Sequence, residues 1–119
     1  MNKKLFVVVT HGTDHELSSV ALTIANGGIT AGLSVDLFLT SNGVDLVRKR
    51  AADKTRVEPL ESLTSLIQSL QERGGTLYAC TPCVKNRGYG QEDLLDGVVI
   101  SGASALHNAI KEGATTLSF

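Results

Sequence analysis

Leu5-Phe6-Val7-Val8-Val9-Thr10-His11-Gly12-Thr13 opens with an unbroken apolar, β-branched run and breaks into small polar residues. Such a run reads as a strand covered on both faces, as in a parallel sheet. Thr13 stands three residues before Glu16, a capping-box spacing that predicts a helix start there. Leu17, Val20, Ala21, Ile24 and Ala25 then recur at helical spacing as one apolar face, and Gly32 is placed to stop the helix. A strand, a polar turn and an amphipathic helix make the first half of a βαβ unit, and the chain downstream repeats the scheme.

Val35–Leu39 reads as the second strand and ends in Thr40-Ser41-Asn42-Gly43, a turn signal. A short helix is expected from about Val44 to Lys49, and 51–58 as a loop. Pro59 suits the first position of a third helix, whose buried stripe is Leu60, Leu63, Leu66, Ile67 and Leu70, with Gly74-Gly75 ending it. Thr76–Ala79 is the third strand and Val98–Ile100 the fourth. A helix over Ser104–Glu112 carries Leu106, Ala109 and Ile110, and Thr115–Phe119 gives a last strand. The 119 residues fit a single domain, 1–119.

Composition narrows the function classes. A net charge of −1 gives no electrostatic case for nucleic acid, and the absence of tryptophan leaves no row of stacking residues for single strands. No apolar stretch approaches the ~20 residues of a membrane helix. The apolar run at the N-terminus stops too soon for a signal peptide. These features predict a cytoplasmic location, where a close cysteine pair more often does redox, sulfur or metal chemistry than structural stapling.

The only cysteines form such a pair, in Leu77-Tyr78-Ala79-Cys80-Thr81-Pro82-Cys83. They fall where a strand hands over to a helix, on the carboxyl edge at which open parallel sheets bind ligands. Helix-end amides favour a thiolate there, and Cys80 reads as the attacking sulfur, with Cys83 a turn onward as a possible resolving thiol. Pro82 suits the first helical turn. His11 and Gly12 on the first strand-to-helix loop and Asn42 on the second share that edge, and Lys85 and Arg87 offer positive charge to an anion. His11 could hold a proton or polarise a sulfur carrier. His15 and His107 read as residues without a chemical role. A zinc site is disfavoured, because the cysteine pair lacks a second close-spaced ligand pair, and no phosphate-binding loop is present, so no metal or cofactor is expected.

Over nearly its whole length the chain resembles the DsrE/DsrF-like (YchN-like, TusD-like) family of small sulfur-relay proteins. The residues that carry the resemblance are Val7-Val8-Val9-Thr10-His11-Gly12, the helix end Ala21–Gly32, Gly43-Val44-Asp45-Leu46-Val47-Arg48, and Leu77-Tyr78-Ala79-Cys80 with Asn86-Arg87-Gly88. Glu92-Asp93-Leu94-Leu95-Asp96-Gly97 and the Thr115–Phe119 strand complete it. The resemblance implies a three-layer α/β/α sandwich with a five-stranded, mainly parallel sheet, assembled as a homotrimer or homohexamer. It also implies sulfur carried as a persulfide on Cys80, exchanged with donor and acceptor proteins. Cys83 matches no residue required across the family. Two other readings stand beside the sulfur carrier or sulfurtransferase: a dithiol–disulfide oxidoreductase, and a non-enzymatic oligomeric assembly or binding subunit. The oxidoreductase is opposed by the late position of the motif and by the lack of any proline besides Pro59 and Pro82.

Overall fold

In a computed structural model describing residues 3–119, the apolar run becomes β1 (Lys4–Val9) at an interior position of the sheet. The other strands are β2 (Ser34–Leu39), β3 (Leu77–Cys80), β4 (Val99–Ser101) and β5 (Thr115–Ser118). Their order is β4-β3-β2-β1-β5, and every pairing is parallel. The helices are α1 (Glu16–Thr30), α2 (Leu63–Glu72), α3 (Thr81–Asn86) and α4 (Ser104–Lys111). The architecture is the three-layer α/β/α sandwich, with its five strands parallel throughout.

Strand alternation sorts the core. Leu5, Val7, Val9, Val35, Leu37, Leu39, Leu77 and Ala79 join Ala21, Leu22 and Ala25 of α1 and Leu63, Leu66, Ile67 and Leu70 of α2 in one buried cluster. Phe6 and Phe38 point the other way and are also buried, but α4 covers that face incompletely. A cavity of about 720 Å³ remains between α4 and a floor that includes Phe6, Asp36 and Tyr78. Leu106 and Ala109 of α4 are half-buried and Ile110 is 47% exposed, so the apolar face expected there is not sealed within the chain.

Four local expectations are corrected. The cap of α1 is His15, whose Nδ1 accepts the Leu17 amide at 3.1 Å, and not Thr13; an imidazole nitrogen satisfies the free N–H as a hydroxyl would. The buried face of α1 is Ser18, Ala21, Leu22, Ala25 and Asn26, with Ile24 turned to 39% exposure. Small residues win that face because Gly28 packs directly on Leu5 and Val35, where an added Cβ would meet both side chains at 3.1–3.2 Å. The third helix begins after Ser62, whose side chain accepts the Ser65 amide, and Pro59 and Leu60 precede it. The short helix expected over 44–49 is a tighter 3-10 segment, Ser41–Val47.

Candidate functional site

The carboxyl ends of β1, β2 and β3 converge on the two cysteines. Thr40 ends the hydrogen-bonded course of β2 by donating its amide to Val9 O at 3.1 Å. The 3-10 segment then turns back over β1, and Gly43 donates to Thr40 O at 2.9 Å. Only glycine fits at 43, since a Cβ there would collide with the Val9 carbonyl oxygen. This close seat holds Ser41 with φ at +53°, a left-handed conformation that a serine adopts at some cost in strain.

The strained residue aims its amide at sulfur. Ser41 N donates to Cys83 Sγ at 3.1 Å, and the Thr40 hydroxyl stands 3.5 Å from the same atom. The Thr40 hydroxyl holds the Cys83 thiol below its ordinary pKa; partial burial opposes it, while the Ser41 amide, the Cys80 thiol and the Arg87 charge add to it. Cys80 is the last residue of β3 and the cap position of α3. Its sulfur accepts no capping hydrogen bond from the helix, contrary to the expectation that helix-end amides would serve Cys80. The amide that serves a sulfur comes from a different segment and serves the other cysteine. Both thiols are free and half-buried, and Pro82 sits in the first turn of α3 as expected.

Arg87 ties the two halves of this arrangement together. Its Nη1 donates to Cys83 O at 3.2 Å and its Nη2 to Asn42 Oδ1 at 2.8 Å, while its Nε lies 3.7 Å from Asp45 Oδ1. Tyr89 donates its hydroxyl to the same Asp45 oxygen at 2.6 Å, and that hydrogen bond pushes the phenol's pKa upward. Arg48 lies over the Tyr89 ring, 5.7 Å from its centroid. Of the residues expected on this edge, Asn42 and Arg87 are therefore joined directly. Gly12 is buried against Asn42, since a Cβ on it would lie 3.1 Å from Asn42 O. Lys85 is exposed on α3. The His11 ring packs on His15, with centroids 4.0 Å apart, and its Nδ1 lies 3.5 Å from the Thr10 hydroxyl. His107 is exposed on α4.

Thr40, Ser41, Asp45 and Tyr89 had no place among the sequence candidates. Thr40 and Ser41 carry a turn signal but no chemical one, and the link from Tyr89 to Asp45 spans 44 positions. Among the described residues, no group of three or more His, Cys, Asp or Glu is placed to hold a metal ion. No helix among them is long and apolar enough to cross a membrane.

Comparison with known proteins agrees with this architecture. Residues 3–119 match the DsrE/DsrF-like family. The uncharacterized protein MJ0989 of Methanocaldococcus jannaschii is 30% identical over 117 residues, covering 98% of this chain and 99% of that protein. The uncharacterized protein MK0008 of Methanopyrus kandleri is 30% identical over 104 residues, covering 87% of this chain and 83% of its own length. Among solved structures, the YchN protein of E. coli superimposes with a TM-score of 0.79 at 21% identity, covering 100% of both chains. MTH1491 of Methanobacterium thermoautotrophicum, a protein of unknown function, gives 0.74 at 19% identity, again over 100% of both. These two likenesses speak for the fold alone. The chain belongs to the DsrE/DsrF-like family, a membership that suggests a role in sulfur relay.

Proposed function

We propose that this protein is a sulfur carrier that takes up sulfane sulfur as a persulfide, holds it on Cys80 and hands it to another protein's thiol. One observation supports this reading above the rest: two free thiols share the carboxyl edge of a parallel sheet, and a backbone amide and a hydroxyl meet one of them. A sulfur so placed is suited to anionic chemistry, because hydrogen bonds to S⁻ favour the thiolate that attacks sulfane sulfur. Cys83 beside it can discharge a Cys80 persulfide, its thiolate attacking Cys80 Sγ to form the disulfide as HS⁻ leaves. Arg87 and Lys85 supply positive charge near the bound anion, Gly12 and Asn42 shape the edge, and His11 is the candidate proton holder. The chemistry suits the cytoplasm, where thiols are kept reduced.

The test is direct. The protein is incubated with inorganic polysulfide, freed of excess and weighed intact. Wild type gains the mass of one sulfur, which dithiothreitol removes, and Cys80→Ser/Cys83→Ser gains none. An equal gain of sulfur in the two proteins would dismiss the carrier and leave dithiol–disulfide exchange or a purely structural role.

Self-association, as a homotrimer or homohexamer, belongs to the same proposal. Ile110 on α4 and Val99 on the edge strand β4 are 47% and 42% exposed, and a second copy would cover them. Sedimentation at micromolar concentration should give an oligomer; a monomer alone would contradict this part.

A further inference from the structure

The two thiols have unlike surroundings, and the difference bears on where sulfur arrives. Cys83 Sγ has an amide donor at 3.1 Å and a hydroxyl at 3.5 Å, both from the chain leaving β2. Cys80 Sγ has no capping bond from α3, and the Cys80 thiol is itself among the groups that favour an anionic Cys83. Of the two protonation arrangements open to the pair, the one with S⁻ on Cys83 and SH on Cys80 uses every donor present. The reverse arrangement leaves the Ser41 amide facing a neutral thiol, a weaker acceptor.

The cradle is also fixed in place. Its halves lie 42 positions apart in the chain, and Arg87 spans them by holding Cys83 O on α3 and Asn42 Oδ1 on the 3-10 segment. Ser41 keeps a left-handed backbone, and its amide reaches the sulfur from that conformation. Residues held in such sparsely populated conformations cluster at sites where the geometry is used.

We propose that sulfane sulfur enters the pair at Cys83, with Thr40, Ser41 and Arg87 as positioning residues, and passes from there to Cys80. This entry route rests on the sulfur-carrier reading above. The Cys83 thiolate attacks the outer sulfur of a donor persulfide R–S–SH. A Cys83 S–S bond forms as the donor's S–S bond breaks, giving Cys83–S–SH and RS⁻. The departing RS⁻ takes the Cys80 proton. The Cys80 thiolate then attacks the outer sulfur, giving Cys80–S–SH and regenerating the Cys83 thiolate. One sulfane sulfur has moved, no electrons are gained or lost overall, and no further reactant is required.

The titratable and charged groups around Cys83 are few. The β3–α3 segment presents Cys80 and Arg87, and the 3-10 segment presents Asp45, which lies behind Arg87 and accepts from Tyr89. A pH profile of Cys83 therefore reports this cradle, and Thr40 is the member that can be removed with least disturbance.

The experiment follows iodoacetamide alkylation of each cysteine across pH by peptide mass, together with the rate of sulfur gain from inorganic polysulfide. Cys83 should react about tenfold faster than Cys80 at neutral pH, the worth of one hydrogen bond to a charged group. Thr40→Val should slow Cys83 by about the same factor and move its profile to higher pH. Thr40→Ser, which keeps the hydroxyl, should restore both and so separates the cradle from a folding defect. Cys80→Ser should still gain a sulfur, and Cys83→Ser should load about tenfold more slowly than wild type. Faster alkylation of Cys80, an unmoved profile in Thr40→Val, or wild-type loading by Cys83→Ser would each overturn the entry route while leaving a sulfur carrier standing. No sulfur gained by wild type, or by Cys80→Ser and Cys83→Ser, which cannot discharge it as a disulfide, would overturn the carrier itself, and the entry route with it.

Discussion

At the amino ends of the strands, Asp36 lies almost wholly buried in β2 with both carboxylate oxygens engaged. Oδ2 pairs with Lys4 Nζ at 2.7 Å, and Oδ1 accepts the Thr76 amide at 2.9 Å. At the carboxyl ends, Cys83 and Cys80 are half-buried and free, and the donors around them converge on a sulfur atom. The two ends of one sheet thus treat polar groups in opposite ways. Where each oxygen has an internal partner, the group fixes structure; it links β1, β2 and the entry to β3. Where donors converge on a reactive atom that solvent can still reach, the group is available for chemistry.

That contrast is broken most severely by Asp36→Ala. The change strands the Thr76 amide and the Lys4 ammonium together, and unfolding free energy should fall by about 2–4 kcal/mol in denaturant titration. The half-exposed Lys4 keeps the figure below that of a fully buried pair. The protein that remains folded should still load sulfur. Cys83→Ser should do the reverse, changing unfolding free energy by less than about 1 kcal/mol while altering sulfur gain. A large stability loss in Cys83→Ser, or sulfur gain abolished in folded Asp36→Ala, would erase the distinction between the two ends.

Much of this architecture is legible in residue order. The run Leu5–Val9 identifies an interior strand, and Leu63, Leu66, Ile67 and Leu70 mark the buried stripe of α2. The α1 stripe is misread by one step, because Gly28 and Ala25 bring that helix closer to the sheet than Ile24 would permit. Asp36 gives no warning, since its partners come from two other parts of the chain.

The cysteine pair announces its place at the end of β3, and Arg87 and Asn42 stand out as neighbours of that edge. The cradle does not. Its amide belongs to a turn far off in sequence, and nothing in the word Thr40-Ser41-Asn42-Gly43 says that Ser41 takes a positive φ or that Gly43 must press on Val9. Local periodicity reports which face is buried. It does not report which donor from another segment will meet a given sulfur.

The smallest effect is also the most telling. The ionised Cys83 is favoured in the folded protein. It therefore contributes stability above the ordinary thiol pKa, and that contribution is lost as pH falls through its lowered value. An ultraviolet titration of thiolate absorbance, run on the reduced native protein, reads this ionisation directly. Wild type should show one thiol ionising ahead of the other, below the ordinary range, and that early step should vanish in Cys83→Ser and persist in Cys80→Ser. Two thiols titrating together at the ordinary value, or an early step that survives in Cys83→Ser, would contradict the account.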